Sequence, residues 1–245
     1  MTGTLALLQE AVGAGVKTFV CTSTTSAFGD ALAAPQGTPA TWVTEEIVPA
    51  PRNIYGVTKT SAEDLCRVFH RQHGLSCIIL RTSRFFPEED DDRSKREVSE
   101  DENNKANEFL FRRVELEDVV SAHLLAARRA AEFGFGRYII SATTPFLAQD
   151  CAELNSNAAG VLQRRVPGYL EVYRDRGWKM FDRIDRVYVN TAAQLDLGWE
   201  PKFDFARVLS ALREGSFPRS RMAELVGSKG YHHQVFEDGP YPVSG

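Results

Sequence analysis

Three short β-rich apolar runs, Lys17 to Cys21, Cys77 to Leu80 and Tyr138 to Ile140, alternate with amphipathic helical stretches. That alternation limits the fold more than any other feature of the chain. The first helical stretch, Thr4 to Ala14, sets Leu5, Leu8, Ala11 and Val12 on one face and closes at Gly13 and Gly15. The second, Ile54 to His73, repeats Ala62, Leu65, Cys66 and Phe69 on one face and meets a stop at Gly74. The third, Glu117 to Ala131, turns Val120, Leu124 and Ala127 inward, and Gly134 and Gly136 lead from it to the last run. Strand–helix–strand order with right-handed crossovers predicts an α/β fold on a parallel sheet.

Between and beyond these elements the texture changes. Residues 30–53 show little periodicity and read as a long surface loop, a kind more often functional than idle. Residues 87–107 are heavily charged. The run Glu88-Glu89-Asp90-Asp91-Asp92 lacks the alternating ligands and turn Gly of a calcium loop, so a solvated loop and no metal are expected. After Pro145 come short helical pieces, Ala148 to Asn155, Ala159 to Arg165 and Leu170 to Asp175. They suggest a smaller, mostly helical subdomain over residues 146–245, set as a lid beside a core of residues 1–145. Arg164, Arg165, Tyr169, Tyr173, Trp178 and Phe181 there fit either of two roles. They bind a phosphate and a flat base, or they form a buried aromatic seam. Leu197-Gly198-Trp199-Glu200-Pro201 reads as a helix end, Phe205 to Leu212 as a final helix, and Gly227 to Gly245 as a polar tail whose His232-His233 has no metal partners at ligand spacing. His123 reads as a packed or surface histidine.

The formal charge of −4 offers no basic patch for nucleic acid or an acidic membrane. No apolar run approaches the roughly 18 residues of a membrane span, and the N-terminus lacks a signal-peptide pattern. Four scattered cysteines without a Cys-x-x-Cys pair fit a reducing, cytoplasmic setting.

One constellation carries chemistry. Tyr55-Gly56-Val57-Thr58-Lys59 places a phenol and an ammonium one helical turn apart on one face. Thr22-Ser23-Thr24 leaves the first strand as a hydroxyl cluster, at the strand edge where open α/β sheets hold their ligands. A phenol titrates near 10 and is a poor base at neutral pH; a neighbouring ammonium favours its charged form. Phenol, ammonium and hydroxyl together make a proton-transfer set.

With these residues in order, the chain resembles the extended short-chain dehydrogenase/reductases, in particular the NAD-dependent epimerase/dehydratase group that includes UDP-glucose 4-epimerase. The matching segments are Gly3-Thr4 with Gly15-Val16-Lys17, Phe19 to Gly29, Tyr55 to Lys59 with Ala62-Glu63, Leu80-Arg81 with Phe85-Phe86-Pro87, Glu117-Asp118-Val119 with Ala122-His123-Leu124, and Leu197 to Pro201. The resemblance implies a Rossmann-like sheet and NAD as cofactor. It makes Tyr55 the acid/base, Lys59 a contact of the nicotinamide ribose and Thr24 the catalytic hydroxyl. It implies Thr22, Ser23 and Thr82 beside the cofactor, and Thr25, Ser26, Arg84 and Phe85 beside a nucleotide sugar, a UDP-sugar first. It further implies a homodimer through the first two helices. Two departures stand out. No Gly-x-x-Gly-x-x-Gly occurs, so the fold is expected as a truncated Rossmann-like sheet. Ser83-Arg84 replaces the usual Phe-Asn, and Glu115 stands where His is common. The implied reaction is 4-epimerisation of UDP-glucose/UDP-galactose. A dehydratase or reductase, or a non-catalytic nucleotide-sugar-binding remnant, are the alternatives; Thr25-Ser26 lacks the Asp-Glu pair of dehydratases.

Overall fold

The computed structural model describes residues 2–86 and 100–227; the Glu88–Asp92 run and His232-His233 lie outside the described residues. The elements run α1 (Thr2–Gly13), β1 (Thr18–Thr24), β2 (Thr41–Val43), α2 (Ile54–His73), β3 (Ser76–Thr82), α3 (Asp101–Glu108), α4 (Leu116–Phe133) and β4 (Phe135–Ile140). They continue with α5 (Cys151–Leu154), α6 (Ala158–Arg165), α7 (Tyr169–Asp175), β5 (Arg186–Tyr188), α8 (Thr191–Leu197), α9 (Phe205–Arg213) and α10 (Arg221–Val226).

β1, β3 and β4 form a parallel sheet in the order β1-β3-β4, in register from Thr18↔Ser76 to Thr24↔Thr82. The expected α/β parallel architecture is therefore present. Successive side chains alternate between the two faces. On one face Phe19, Cys21, Cys77 and Ile79 pack under Leu8 of α1 and Cys66 and Phe69 of α2. On the other, Val20, Ile78, Leu80 and Tyr138 pack against Val119, Ala122 and Ala126 of α4 and Leu197 and Trp199 at the end of α8. α2 starts and stops as its sequence dictates. Asn53 caps it by accepting from Gly56 N at 2.8 Å, and Gly74 ends it in the left-handed region at φ 67°. Such a cap is worth about 1 kcal/mol.

A second core gathers α6, α7 and α9, with Trp178, Ile184 and Val187, and it also draws in Ala40, Ala106 and residues 109–111. β2 and β5 pair beside it as a two-stranded parallel sheet.

Three expectations need correcting, and one open alternative is decided. The inward face of α4 is not Val120, Leu124 and Ala127: Leu124 is 56% exposed, and Val119, Ala122, Ala126 and Ala130 are the buried set. Residues 30–53 are not one loop: they hold a 3-10 turn at Asp30–Leu32 and strand β2. The charged loop does not reach 107, because Asp101–Glu108 is a helix with Asn103, Asn104, Asn107 and Glu108 buried. Its amides are satisfied far away in sequence: Asn103 and Asn107 both donate to Lys179 O, at 3.0 and 2.9 Å, and Asn107 Oδ1 accepts from Tyr173 Oη at 2.9 Å. Of the two roles open to the Arg and aromatic group, Tyr169, Tyr173 and Trp178 take the buried seam, while Arg164 stays exposed. Tyr173 meets Tyr169, Trp178 and Phe205 edge-on at 5.3, 5.7 and 6.2 Å, while Arg165 pairs with Asp150 and Arg164 with Glu153.

Candidate active site

The carboxyl end of β1 continues directly into a 3-10 turn, Thr25–Phe28, whose N-cap is Thr24. Thr24 is 9% exposed, and its Oγ1 accepts from Ser26 N at 3.1 Å, which leaves its one hydrogen to donate. The turn ends at Gly29, with φ 51°, where a Cβ would sit 2.1 Å from Ala50 O. Only glycine permits that approach, and through it Ala50 N donates to Phe28 O at 3.1 Å and Asp30 N to Ala50 O at 2.8 Å. The chain at 50–51 is thereby docked on the turn, and α2 starts three residues later. A second close approach finishes the joint. A Cβ on Gly56 would lie 2.8 Å from Pro51 Cβ and 3.2 Å from Ser26 O.

This joint brings the first turns of α2 to the end of β1. Lys59 Nζ donates to Thr22 O at 3.0 Å and lies 5.7 Å from the centroid of the Tyr55 ring. Tyr55 is 53% exposed, a residue at the surface rather than in the core. Tyr55, Lys59, Thr22 and Thr24 thus share one region, with Thr25 buried and Ser26 exposed in the turn beside it. Thr82, the register partner of Thr24, is buried and donates to Ser23 O at 3.0 Å.

Other predicted residues are engaged differently. Ser23 points inward and donates to Glu63 Oε1 at 2.6 Å. Arg84 is held by its backbone in a parallel bridge with Arg113. Phe85 packs on the α4 side of the sheet and stacks on Phe86 at 4.3 Å. Glu115, at the position where the resemblance expects His, is buried and accepts from Ser220 N and Oγ at 3.0 and 2.7 Å, anchoring α10.

Sequence reasoning missed two groups. His123, on α4, places Nε2 2.7 Å from Thr22 Oγ1 and Nδ1 2.8 Å from Val119 O. With the proton on Nδ1, Nε2 accepts from the threonine, so helices on both faces of the sheet grip Thr22. The other group is the buried pair Glu63–Arg81, closed at 2.6 Å. An arginine in an otherwise apolar strand run and an acid on the inward face of α2 were the available signals. A shallow cavity of about 380 Å³ between α7 and α9, lined by Glu171, Asp175, Arg176 and Arg213, borders none of the predicted site residues. Among the described residues, no cluster of three or more His, Cys, Asp or Glu is placed to hold a metal ion, and no helix is long and apolar enough to cross a membrane.

The donor set at the end of β1 fits the nicotinamide-ribose end of a dinucleotide: an ammonium with two donors left, the phenol of an exposed tyrosine and a hydroxyl. No Gly-x-x-Gly-x-x-Gly turn for a pyrophosphate exists in the sequence.

Residues 1–140 match the model of the NAD dependent epimerase/dehydratase family. UDP-glucose 4-epimerase 4 of Oryza sativa subsp. japonica is 36% identical over 80 residues, covering 32% of this chain and 20% of that protein. The curated relatives are covered over only 18% to 48% of their own length. UDP-N-acetylglucosamine 4-epimerase from Bacillus cereus is similar in fold, with a TM-score of 0.54 at 17% identity over 86% of this chain and 68% of that one. UDP-glucose 4-epimerase from Thermotoga maritima, solved with UDP-glucose, gives 0.51 at 20% identity over 87% and 69%.

Proposed function

This chain belongs to the NAD dependent epimerase/dehydratase family, and from that premise we propose that it acts on a nucleotide sugar as a 4-epimerase, with UDP-glucose and UDP-galactose the first pair to test. The observation that carries the reading is the joint at the end of β1, where Lys59 is fixed on Thr22 O beside the exposed Tyr55 and the capping Thr24. Solved relatives in this fold include a UDP-glucose 4-epimerase holding UDP-glucose.

NAD, when bound, supplies the acceptor and donor of hydride for such a reaction. The chain's own residues do the remaining work. Lys59 and Thr22 would hold the nicotinamide ribose. Thr24 donates its free hydrogen to a sugar oxygen, which orients that oxygen toward Tyr55. Tyr55 Oη takes the proton from the sugar hydroxyl and returns it on the other half of the cycle. A homodimer through α1 and α2 accompanies this reading. Leu7, Ile54, Val57 and Val68 are exposed there.

A second reading, a non-catalytic nucleotide-sugar binder, is the alternative to turnover at the same residues. Incubation with UDP-galactose and added NAD separates the two, with calorimetric titration of NAD alongside. Conversion to UDP-glucose that disappears in Tyr55→Phe supports the epimerase. UDP-sugar binding with no conversion and no heat on NAD addition supports the binder and ends the first reading.

A further inference from the structure

The inward face of α2 carries a layer below Lys59 that the proposed chemistry does not use. Glu63, one turn on, is 2% exposed. Its Oε1 accepts from Ser23 Oγ at 2.6 Å and Arg81 Nε at 3.0 Å, and its Oε2 accepts from Arg81 Nη2 at 2.6 Å. Arg137 Nη1 stands 3.9 Å from Oε2. Arg81 is fully buried, and its guanidinium lies 4.8 Å from the centroid of Phe28, the last residue of the turn that Thr24 caps. The carboxylate and its arginine thus join α2, the carboxyl ends of β1 and β3 and the 25–28 turn.

An apolar trio of similar volume would fill this space without the desolvation cost of burying two charges. What the ion pair adds is direction. Bidentate guanidinium–carboxylate geometry fixes the carboxylate in angle as well as distance, and the remaining capacity of Oε1 is spent on a strand-end serine. Sliding or rotating α2 would break these bonds together. The elements they tie are the ones that carry Thr24, Tyr55 and Lys59.

We propose that Glu63, held by Arg81 and bonded to Ser23, is a positioning residue that sets the height and rotation of α2 on β1 and so keeps Lys59 on Thr22 O beside Tyr55. The proposal rests on the epimerase reading for its catalytic consequence, but the position of Lys59 can be measured without any ligand.

Two variants test it. Glu63→Gln puts an amide N–H against the Arg81 donors, and Ser23→Ala keeps the ion pair while cutting its tie to β1. Val161→Ala, in the remote second core, controls for general loss of stability. In the ligand-free protein, the rate of acetylation of Lys59 by acetic anhydride is followed by peptide mass spectrometry, relative to exposed Lys17. We expect a rise of threefold or more in Glu63→Gln, a smaller rise in Ser23→Ala and none in Val161→Ala. In turnover of UDP-galactose with NAD, kcat should fall roughly 10- to 100-fold in Glu63→Gln with KM within about twofold, as for a misplacement of about 1 Å. Unchanged Lys59 labelling in the folded variants overturns the proposal, and so does a labelling rise with kcat unchanged. A wild type without turnover ends the epimerase reading instead, and labelling alone then decides the role of Glu63. Should Glu63→Gln not fold, Ser23→Ala decides.

Discussion

Gly56→Ala sets two effects of known size against each other. Inside a helix, alanine is favoured over glycine by about 1 kcal/mol, so a free α2 would gain stability. In the folded protein the new methyl would lie 2.8 Å from Pro51 Cβ and 3.2 Å from Ser26 O, where ordinary contacts begin near 3.5 Å. Neither neighbour can step aside cheaply. Pro51 is a rigid ring next to Ala50, which is bridged to Gly29, and Ser26 O belongs to a 3-10 turn pinned by the buried Thr25, Ala27 and Phe28. Overpacking of this kind costs typically 1–3 kcal/mol, and with rigid neighbours the upper part of that range applies. The clash wins, for a net loss of about 1–2 kcal/mol, or roughly 3–7 °C in melting temperature for a chain of this size. Gly3→Ala is the control, because a Cβ there meets nothing within 4 Å and only the propensity gain remains. Melting by circular dichroism should move the two variants in opposite directions. Turnover should fall tenfold or more in Gly56→Ala alone, since the displaced turn carries Tyr55. If both variants melt above the wild type, the close joint between α2 and the strand-end turn is refuted.

Two further outcomes follow from buried groups around α4. Asp118 is held up to about 6 by burial, against an unfolded value of 3.8, even though its carboxylate accepts from Lys202 N and Phe203 N. Its contribution is therefore full below the unfolded value and is lost as pH rises through about 6, to at most about 3 kcal/mol. Glu108, Asp150 and Asp185 are held low and work in the opposite sense, losing their contributions as pH falls. Urea melts at pH 4.5, 6 and 7.5 on wild type and Asp118→Asn isolate the one group: the gap between the two proteins should shift in favour of the variant as pH rises, and a pH-independent gap refutes the assignment. Trp199 is fully buried and its indole N–H donates to Asp118 O and Ser121 Oγ, both at 3.0 Å. Trp199→Phe removes both bonds and leaves a void, so a loss of about 2–4 kcal/mol in the same melts is expected, with m unchanged.

How much of this was legible depended on whether the partner of each residue lay nearby in sequence. α2 could be read because its periodic face and stop are both local: the Ala62/Cys66/Phe69 stripe and Gly74. The strand β1 was read short. Thr22 to Thr24 look like a loop by composition, yet their backbone ladder with β3 runs to Thr82. α3 was unreadable because its buried amides are satisfied by Lys179 O and Tyr173 Oη, some seventy residues on. β2 was missed for the same reason, since a three-residue strand exists only by pairing with β5. At the site, Tyr55 and Lys59 announced themselves by a spacing of one turn. Ser23, Glu63 and Arg81 form a unit only in three dimensions, and the hydroxyl of Ser23 that sequence placed toward a cofactor is turned inward to Glu63.

The aromatic seam narrows where a nucleotide could be held. As a string of letters, Arg164, Arg165, Tyr169, Tyr173, Trp178 and Phe181 suit a phosphate and a base equally as well as a core. In the fold their polar groups already have internal partners: Arg164 pairs with Glu153, Arg165 with Asp150, Tyr169 Oη with Ala159 O, Tyr173 Oη with Asn107 and Trp178 Nε1 with Glu100. Recruiting the buried Tyr169, Tyr173 or Trp178 to a ligand would first break an internal bond and leave its partner unmet, at a cost comparable to what the new contact returns. Thr24, Tyr55 and Lys59 carry no such cost. Thr24 keeps a hydrogen, Lys59 keeps two, and Tyr55 lies at the surface. Polar recognition is therefore cheaper at the end of β1 than along the seam, in line with the proposed placing of the sugar there.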